Sequence, residues 1–222
     1  MRISKDPMVR KGELIEAAEA LFREEGYRQT SVSDIVKRIG VAQGTFYYYF
    51  KSKDDVLDAV IDYYIEGYQR AIERLIADDR ADPARKIEII ANTALSINQF
   101  YPRLAEFLHS AENQTTHQRY IIKYFGVVIP QITAVVEQGK AAGIFRVGYP
   151  RESVEMLVYA FGYLEESIAG AGDQDHYERM IRAAEEILAR VLGVEPGRLH
   201  LDPSGSENVL QIVPPRDPKP EA

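Results

Sequence analysis

Gly40–Asp55 reads GVAQGTFYYYFKSKDD: three consecutive tyrosines between Phe46 and Phe50, followed by Lys51 and Lys53. Residues four apart share a helix face, so Phe46 and Phe50 can both point inward. At most three of five consecutive residues on one short helix can face a core, so at least two of these rings must be exposed. Just upstream, Ser31 and Asp34 fit the N-cap and N3 positions of a capping box, with Asp in place of the usual Glu. Ile35, Val36 and Ile39 give that helix a buried face and Gly40 stops it. Two helices joined by a three-residue turn containing Gly make a helix-turn-helix, whose second helix enters the major groove of DNA. Here that second helix is Gln43–Tyr49.

The chemistry of this segment suits DNA. Gln43 and Tyr47 share one outward face, Gly44 and Tyr48 the next. A tyrosine ring packs on protein while its hydroxyl donates to a phosphate. It adds no charge, so three can crowd where three lysines would repel. Gly44 lets the backbone approach closely. Thr45 can bond a phosphate or touch a thymine methyl, and Gln43 can pair with adenine in bidentate fashion. Lys51 and Lys53 flank the start of the next helix, opened by Ser52 with Asp55, where the helix dipole also favours an anion. Ala42, at the N-cap of Gln43–Tyr49, offers no side-chain acceptor to the first backbone N–H groups, which costs about 1 kcal/mol relative to a good cap. A phosphate oxygen or water could serve them instead. A plain aromatic packing cluster is the alternative, and it leaves the exposed rings without a use.

The stretch TSVSDIVKRIGVAQGTFYYYFKSKDDVL resembles the DNA-binding signature of the tetracycline-repressor (TetR) family of bacterial transcription regulators. The preceding ELIEAAEALFREEGYRQT is similar to that family's first helix, so the resemblance covers about residues 10–57. It implies an all-helical homodimer with a three-helix DNA-binding domain and a larger regulatory domain holding a ligand pocket. By position in the motif, Gln43, Thr45 and Tyr47 would face bases or nearby backbone. Thr30, Tyr48, Tyr49 and Lys53 would hold phosphates. Tyr49 stands where His is frequent in the family, and Ala42 where Ser is frequent, which blurs which phosphate each residue meets.

Outward from this motif the pattern is helical throughout. Leu14, Ala17, Ala18, Leu21 and Phe22 form one apolar stripe over residues 8–25, closed by Gly26. Helices are expected over 52–77, 83–100, 103–110, 114–141 (with a possible kink at Pro130), 151–169 and 174–192, and no alternating strand pattern occurs. The expected organisation is an all-α chain: a helix-turn-helix domain at 1–51, a helical regulatory and dimerisation domain at 52–195, and a tail at 196–222. Six of the eleven prolines fall in that tail, which is expected to be flexible, at least beyond Pro203. Leu157, Ala160, Leu164 and Ile168, with Ile181, Ala184, Leu188 and Val191, are expected to meet their two-fold copies in a four-helix packing.

Composition narrows the function. Residues 1–55 hold ten Lys/Arg against nine Asp/Glu, leaving 17 against 25 in the remainder of a chain of net charge −7. That asymmetry points the N-terminal part at something anionic. The absence of cysteine excludes disulfides and thiolate chemistry. No apolar leader and no run of about 18 apolar residues is present, so no signal peptide or membrane span is expected. No nucleotide loop, zinc-protease or calcium-loop motif occurs. His109 and His117 with Glu106 and Glu112 are the nearest imitation of a metal site. They lie across an expected helix break, so no metal and no cofactor is expected. Phe100, Phe107, Tyr124, Phe125 and Tyr159 are candidates to line a largely apolar effector pocket. The expectation is therefore a cytoplasmic, dimeric, ligand-responsive repressor, not an enzyme. An activator or constitutive DNA-binding protein, or a helical ligand carrier, stands as the alternative.

Overall fold

A computed structural model describes residues 6–100, 114–169 and 174–204. The described residues form eight helices and no strand: α1 Pro7–Glu24, α2 Val32–Arg38, α3 Gln43–Tyr49, α4 Lys53–Ala77, α5 Pro83–Phe100, α6 Gln114–Ala141, α7 Pro150–Ala169 and α8 Gln174–Leu192. The short helix expected over 103–110 lies outside the described residues.

Two compact units are present, one built on residues 6–67 and one on 68–100 with 118–204. In the first, Asp6 caps α1 by accepting from the Met8 amide at 2.7 Å, with Pro7 in the first turn. The apolar stripe read from the sequence, Leu14 to Phe22, is buried. The Ser31–Asp34 capping box forms in both directions. Gly26 (φ +92°) and Gly40 (φ +69°) make the two left-handed turns that end α1 and α2. Arg38 grips Glu24 through two bonds of 2.8 and 2.9 Å, tying the ends of α1 and α2. Both side chains are largely solvated, so the pair adds little stability. Val56, Leu57, Val60, Ile61 and Ile65 of α4 are buried, and Tyr64 donates to Glu19 of α1. The first unit therefore continues down α4 to Gly67, past the boundary at residue 51 that the motif alone suggested.

In the second unit, α5 packs on α7 and α7 on α8. The core includes Ile72, Ile90, Leu95, Val128, Val136, Val154, Leu188 and Leu192. Fully burying a side chain of this size is worth roughly 1.5–3 kcal/mol. Over His117–Ala141, α6 has the length and composition of a membrane span. Five of its apolar residues, Phe125, Val128, Ile129, Val135 and Val136, are buried in the core, while Ile122 is exposed.

The start of the proline-rich tail, ahead of the part beyond Pro203 that was expected to be flexible, is docked. Leu199 and Leu201 are buried, Glu88 accepts from the His200 amide at 2.8 Å, Glu185 accepts from the Leu201 amide at 2.7 Å, and Arg198 pairs with Asp82. Residues 205–222 lie outside the described part. Of the residues assigned to dimerisation, Leu164, Ile181, Ala184 and Leu188 are core residues, whereas Leu157 and Val191 are half-buried and Ala160 is exposed. The Ile168 side chain lies outside the described part. Among the described side chains of α7 and α8, the large apolar ones left outside are Met156 (75% exposed), Tyr159 (57%) and Ile187 (52%).

Candidate nucleic-acid interface

The interface is built on α3. Phe46 and Phe50 are buried with ring centroids 5.5 Å apart, so the inward pair expected from four-residue spacing is present. This anchoring fixes the rotation of the helix and sends the intervening tyrosines out. Tyr48 is 76% exposed and Tyr47 54%, while Tyr49 is half-buried and holds the Tyr48 ring edge-on at 4.8 Å. Tyr47 stands edge-on to Phe46 at 5.5 Å. These ring contacts limit the motion of both exposed tyrosines, so little rotamer entropy remains to be lost on contact. Gln43 and Gly44 are exposed and Thr45 half-buried, so the outward surface carries the residues the sequence nominated. Ala42 is extended and makes no side-chain cap bond.

The flanks differ more from expectation. Lys51 is exposed, and its backbone N–H donates to Asp55 at 2.8 Å while Ser52 accepts from the Asp55 amide at 3.1 Å. The second capping box is thus one residue wider than the Ser52–Asp55 spacing suggested. Lys53 is part-buried. Its ammonium donates to the carbonyls of Tyr27 (2.8 Å) and Thr30 (2.9 Å) and lies 4.1 Å from the Tyr27 ring centroid. Burial lowers its pKa below the ordinary lysine value, against the opposing pull of Asp54. Two of its three donors hold the turn before α2, leaving one to point elsewhere. Tyr27 donates to Asp54, and burial together with that carboxylate raises its phenol well above its ordinary range. Thr30 is corrected outright. It is buried, and its hydroxyl donates to the Gly26 carbonyl at 2.9 Å, so it closes the α1–α2 turn instead of facing a phosphate. The Tyr27–Lys53–Asp54 cluster was missed in the sequence because Tyr27 stands 26 and 27 residues from the other two.

For the regulatory half, the structure brings three of the five nominated aromatics together. Phe125 is buried, with Tyr159 edge-on at 4.7 Å and Tyr124 at 5.9 Å; Tyr124 meets Tyr68 at 5.4 Å. Tyr159 is more than half exposed and so belongs to the surface as much as to the interior. The Phe100 side chain and Phe107 lie outside the described residues, as do His109, Glu106 and Glu112. Among the described residues no three His, Cys, Asp or Glu converge as metal ligands.

Sequence reasoning passed over α5. Lys86, Glu88, Asn92, Thr93 and Ser96 on this helix are all buried. Lys86 donates to the Ile76 carbonyl at 2.9 Å, Glu88 pairs with Arg85, Thr93 donates to Ile89 and Ser96 to Thr93. Asn92 is fully buried, and neither atom of its amide has a partner among the described residues. Such a group costs about 1–3 kcal/mol. The only sequence signal was an Asn inside the apolar run IEIIANTALSI.

A glycine-turned pair of short helices presenting exposed Gln and Tyr over buried Phe defines a helix-turn-helix protein. Residues 14–60 match the family described as bacterial regulatory proteins, tetR family. It is 37% identical over 87 residues to the fatty acid metabolism regulator protein of Bacillus subtilis (strain 168). That match covers 38% of this chain and 43% of the relative, so it spans less than half of the relative's length. A longer match, 23% identical over 174 residues, covers 73% of this chain and 82% of the HTH-type transcriptional regulator TtgR of Pseudomonas putida. The fold is shared with a TetR transcription regulator from Haloarcula marismortui, at TM-score 0.65 and 22% identity over 83% of this chain and 99% of that one. It is shared too with RolR in complex with resorcinol, at TM-score 0.63 and 17% identity over 86% and 90%.

Proposed function

We propose that this protein is a cytoplasmic, dimeric repressor that binds a palindromic operator through α3 and is released by a small, largely apolar effector held in the second unit. One observation carries the reading: Tyr47 and Tyr48 stand exposed over a buried Phe46–Phe50 pair, beside exposed Gln43 and Gly44. A folded core gains nothing from two exposed aromatic rings, whereas a phosphate backbone and base edges use them. Gln43, Gly44, Thr45, Tyr47, Tyr48, Tyr49 and Lys51 form the contact surface, with Lys53 contributing its remaining donor. Met156, Tyr159 and Ile187 replace the sequence-derived residues as the apolar surface joining two subunits through α7 and α8. An effector role is supported by the fold shared with RolR, whose solved complex contains resorcinol. α4 contributes residues to both units and is the element through which an effector would shift the DNA-binding helices. The effector must bind the released form more tightly by a few kcal/mol, since only differential affinity moves the equilibrium.

The test is a mobility-shift titration of the full chain on DNA upstream of its own gene, with and without Tyr48→Ala. Retardation by the parent at nanomolar protein is expected, with binding weaker by roughly tenfold or more in the variant, the scale of one lost charge-assisted bond. No retardation of any upstream fragment would remove the regulator reading and leave that of a helical ligand carrier. Retardation that no small molecule relieves would favour a constitutive DNA-binding protein.

A further inference from the structure

We infer that Lys11, on α1 and outside the helix-turn-helix, holds a DNA phosphate beside the C-terminal end of α3. The inference rests on the reading of α3 as a DNA-contacting helix, and adds to it a contact that the motif does not contain.

The cations of the first unit are engaged in different ways. Arg10, Arg23 and Arg38 are each paired with a glutamate: Glu13, Glu19 and Glu24 respectively. Lys53 spends two of its three donors on the Tyr27 and Thr30 carbonyls. Lys11 is exposed, and its ammonium lies 5.7 Å from the centroid of the Phe50 ring. Among the described residues it has no carboxylate partner. The helix explains why: the positions three and four residues away on α1 are Pro7, Met8, Leu14 and Ile15, none of which can pair with an ammonium. A ring attracts the ammonium through its quadrupole and consumes no N–H donor. Lys11 is therefore positioned without being spent, with three donors left for an outside acceptor. Its position is set by α3. Phe50 ends that helix, its ring packs 5.5 Å from Phe46, and the next residue, Lys51, is also exposed. Lys11 in space and Lys51 in sequence thus adjoin the residue that anchors the helix carrying exposed Tyr47 and Tyr48. An ammonium is a compact point charge with rotatable donors, which suits a phosphate oxygen. A phosphate held from α1 would help fix the register of the first unit on the duplex without carrying sequence information.

The test is fluorescence anisotropy of the full chain on two labelled duplexes, one from upstream of its own gene and one of random sequence, over a range of salt concentrations. Lys11→Gln should lower the slope of log K against log salt by roughly 0.9 for each bound subunit, on both duplexes alike. Lys11→Arg returns the charge and should restore the parent slope. A purely structural role, in which the ammonium offsets the negative end of α3, would lower the melting temperature of Lys11→Gln and leave the slope unchanged. That result would overturn the inference. The parent gives a second readout. Acetylation of Lys11 by an amine-reactive reagent, followed by peptide mass spectrometry, should slow several-fold once duplex is added, while exposed Lys140 at the end of α6 reacts as before. Equal acetylation of Lys11 with and without bound duplex would also overturn the inference. Either negative result, on a duplex that the parent binds, leaves α3 standing as the DNA-contacting helix. Failure of the parent to bind either duplex would overturn that reading, and this one with it.

Discussion

Replacing Lys53 with Met keeps the apolar stem and removes the ammonium that joins the start of α4 to the turn before α2. Two bonds are lost, to the carbonyls of Tyr27 at 2.8 Å and Thr30 at 2.9 Å, together with the contact over the Tyr27 ring. A desolvated bond to a charged group is worth roughly 1.5–3 kcal/mol and an exposed cation–π contact about 0.5–1 kcal/mol. The ammonium is only part-buried and its lowered pKa records a desolvation cost, so solvent screening cuts the total to about 2 kcal/mol. The loss is local: the α1–α2 turn should open more often, and amides of residues 26–35 should exchange hydrogen about thirtyfold faster, as read by mass spectrometry of peptides. α5–α8 should be unaffected. The donor not used inside the protein gives a second readout. If it reaches a phosphate, the slope of log K against log salt should fall by roughly 0.9 for each subunit on DNA. Unchanged exchange across residues 26–35 would refute the structural tie, and an unchanged salt slope would refute the phosphate contact. The two outcomes are independent, so either half of the reasoning can fail alone.

The same geometry yields three more expected outcomes. Tyr27 ionises near its ordinary 10.0 when unfolded but stays protonated to a higher pH when folded, so its contribution is present below that pH and lost above it. Tyr27→Phe should therefore flatten the loss of stability as the pH rises above about 10 relative to the parent. Lys53 titrates in the opposite sense, so the measurement is the difference between the two denaturation midpoints, and parallel curves would rule the effect out. Ile187→Glu places a charge on the outward apolar surface of α8 and should convert the proposed dimer to monomers at micromolar concentration in light scattering. A dimer mass for that variant would remove Ile187 from the interface. Gln43→Ala should relax base preference at one position per half-site, on the scale of about 1–3 kcal/mol. An unchanged site preference in a selection experiment would reduce Gln43 to a helix-starting residue.

What the sequence determined by itself is what depends on neighbours along the chain. The capping box at Ser31–Asp34, the Gly26 and Gly40 turns, the inward Phe46–Phe50 pair and the bounds of α3, α5, α6 and α8 all follow from spacing, side-chain length and backbone freedom within a few residues. Exposure of two of the three tyrosines followed from the same arithmetic. Tertiary structure decided what depends on groups far apart in the chain. Lys53, nominated as a phosphate ligand, also serves as a tie across 23 and 26 residues. Thr30 was claimed by the Gly26 carbonyl, Leu199 and Leu201 were drawn into a core that no local pattern announced, and the apolar face of α8 was divided between that core and the surface. Periodicity shows that a helix has an apolar stripe, but a stripe wider than one partner can cover does not say which edge stays inside. The unmatched amide of Asn92 is the extreme case, because a residue type carries no record of whether its hydrogen bonds are made until every neighbouring group has been placed.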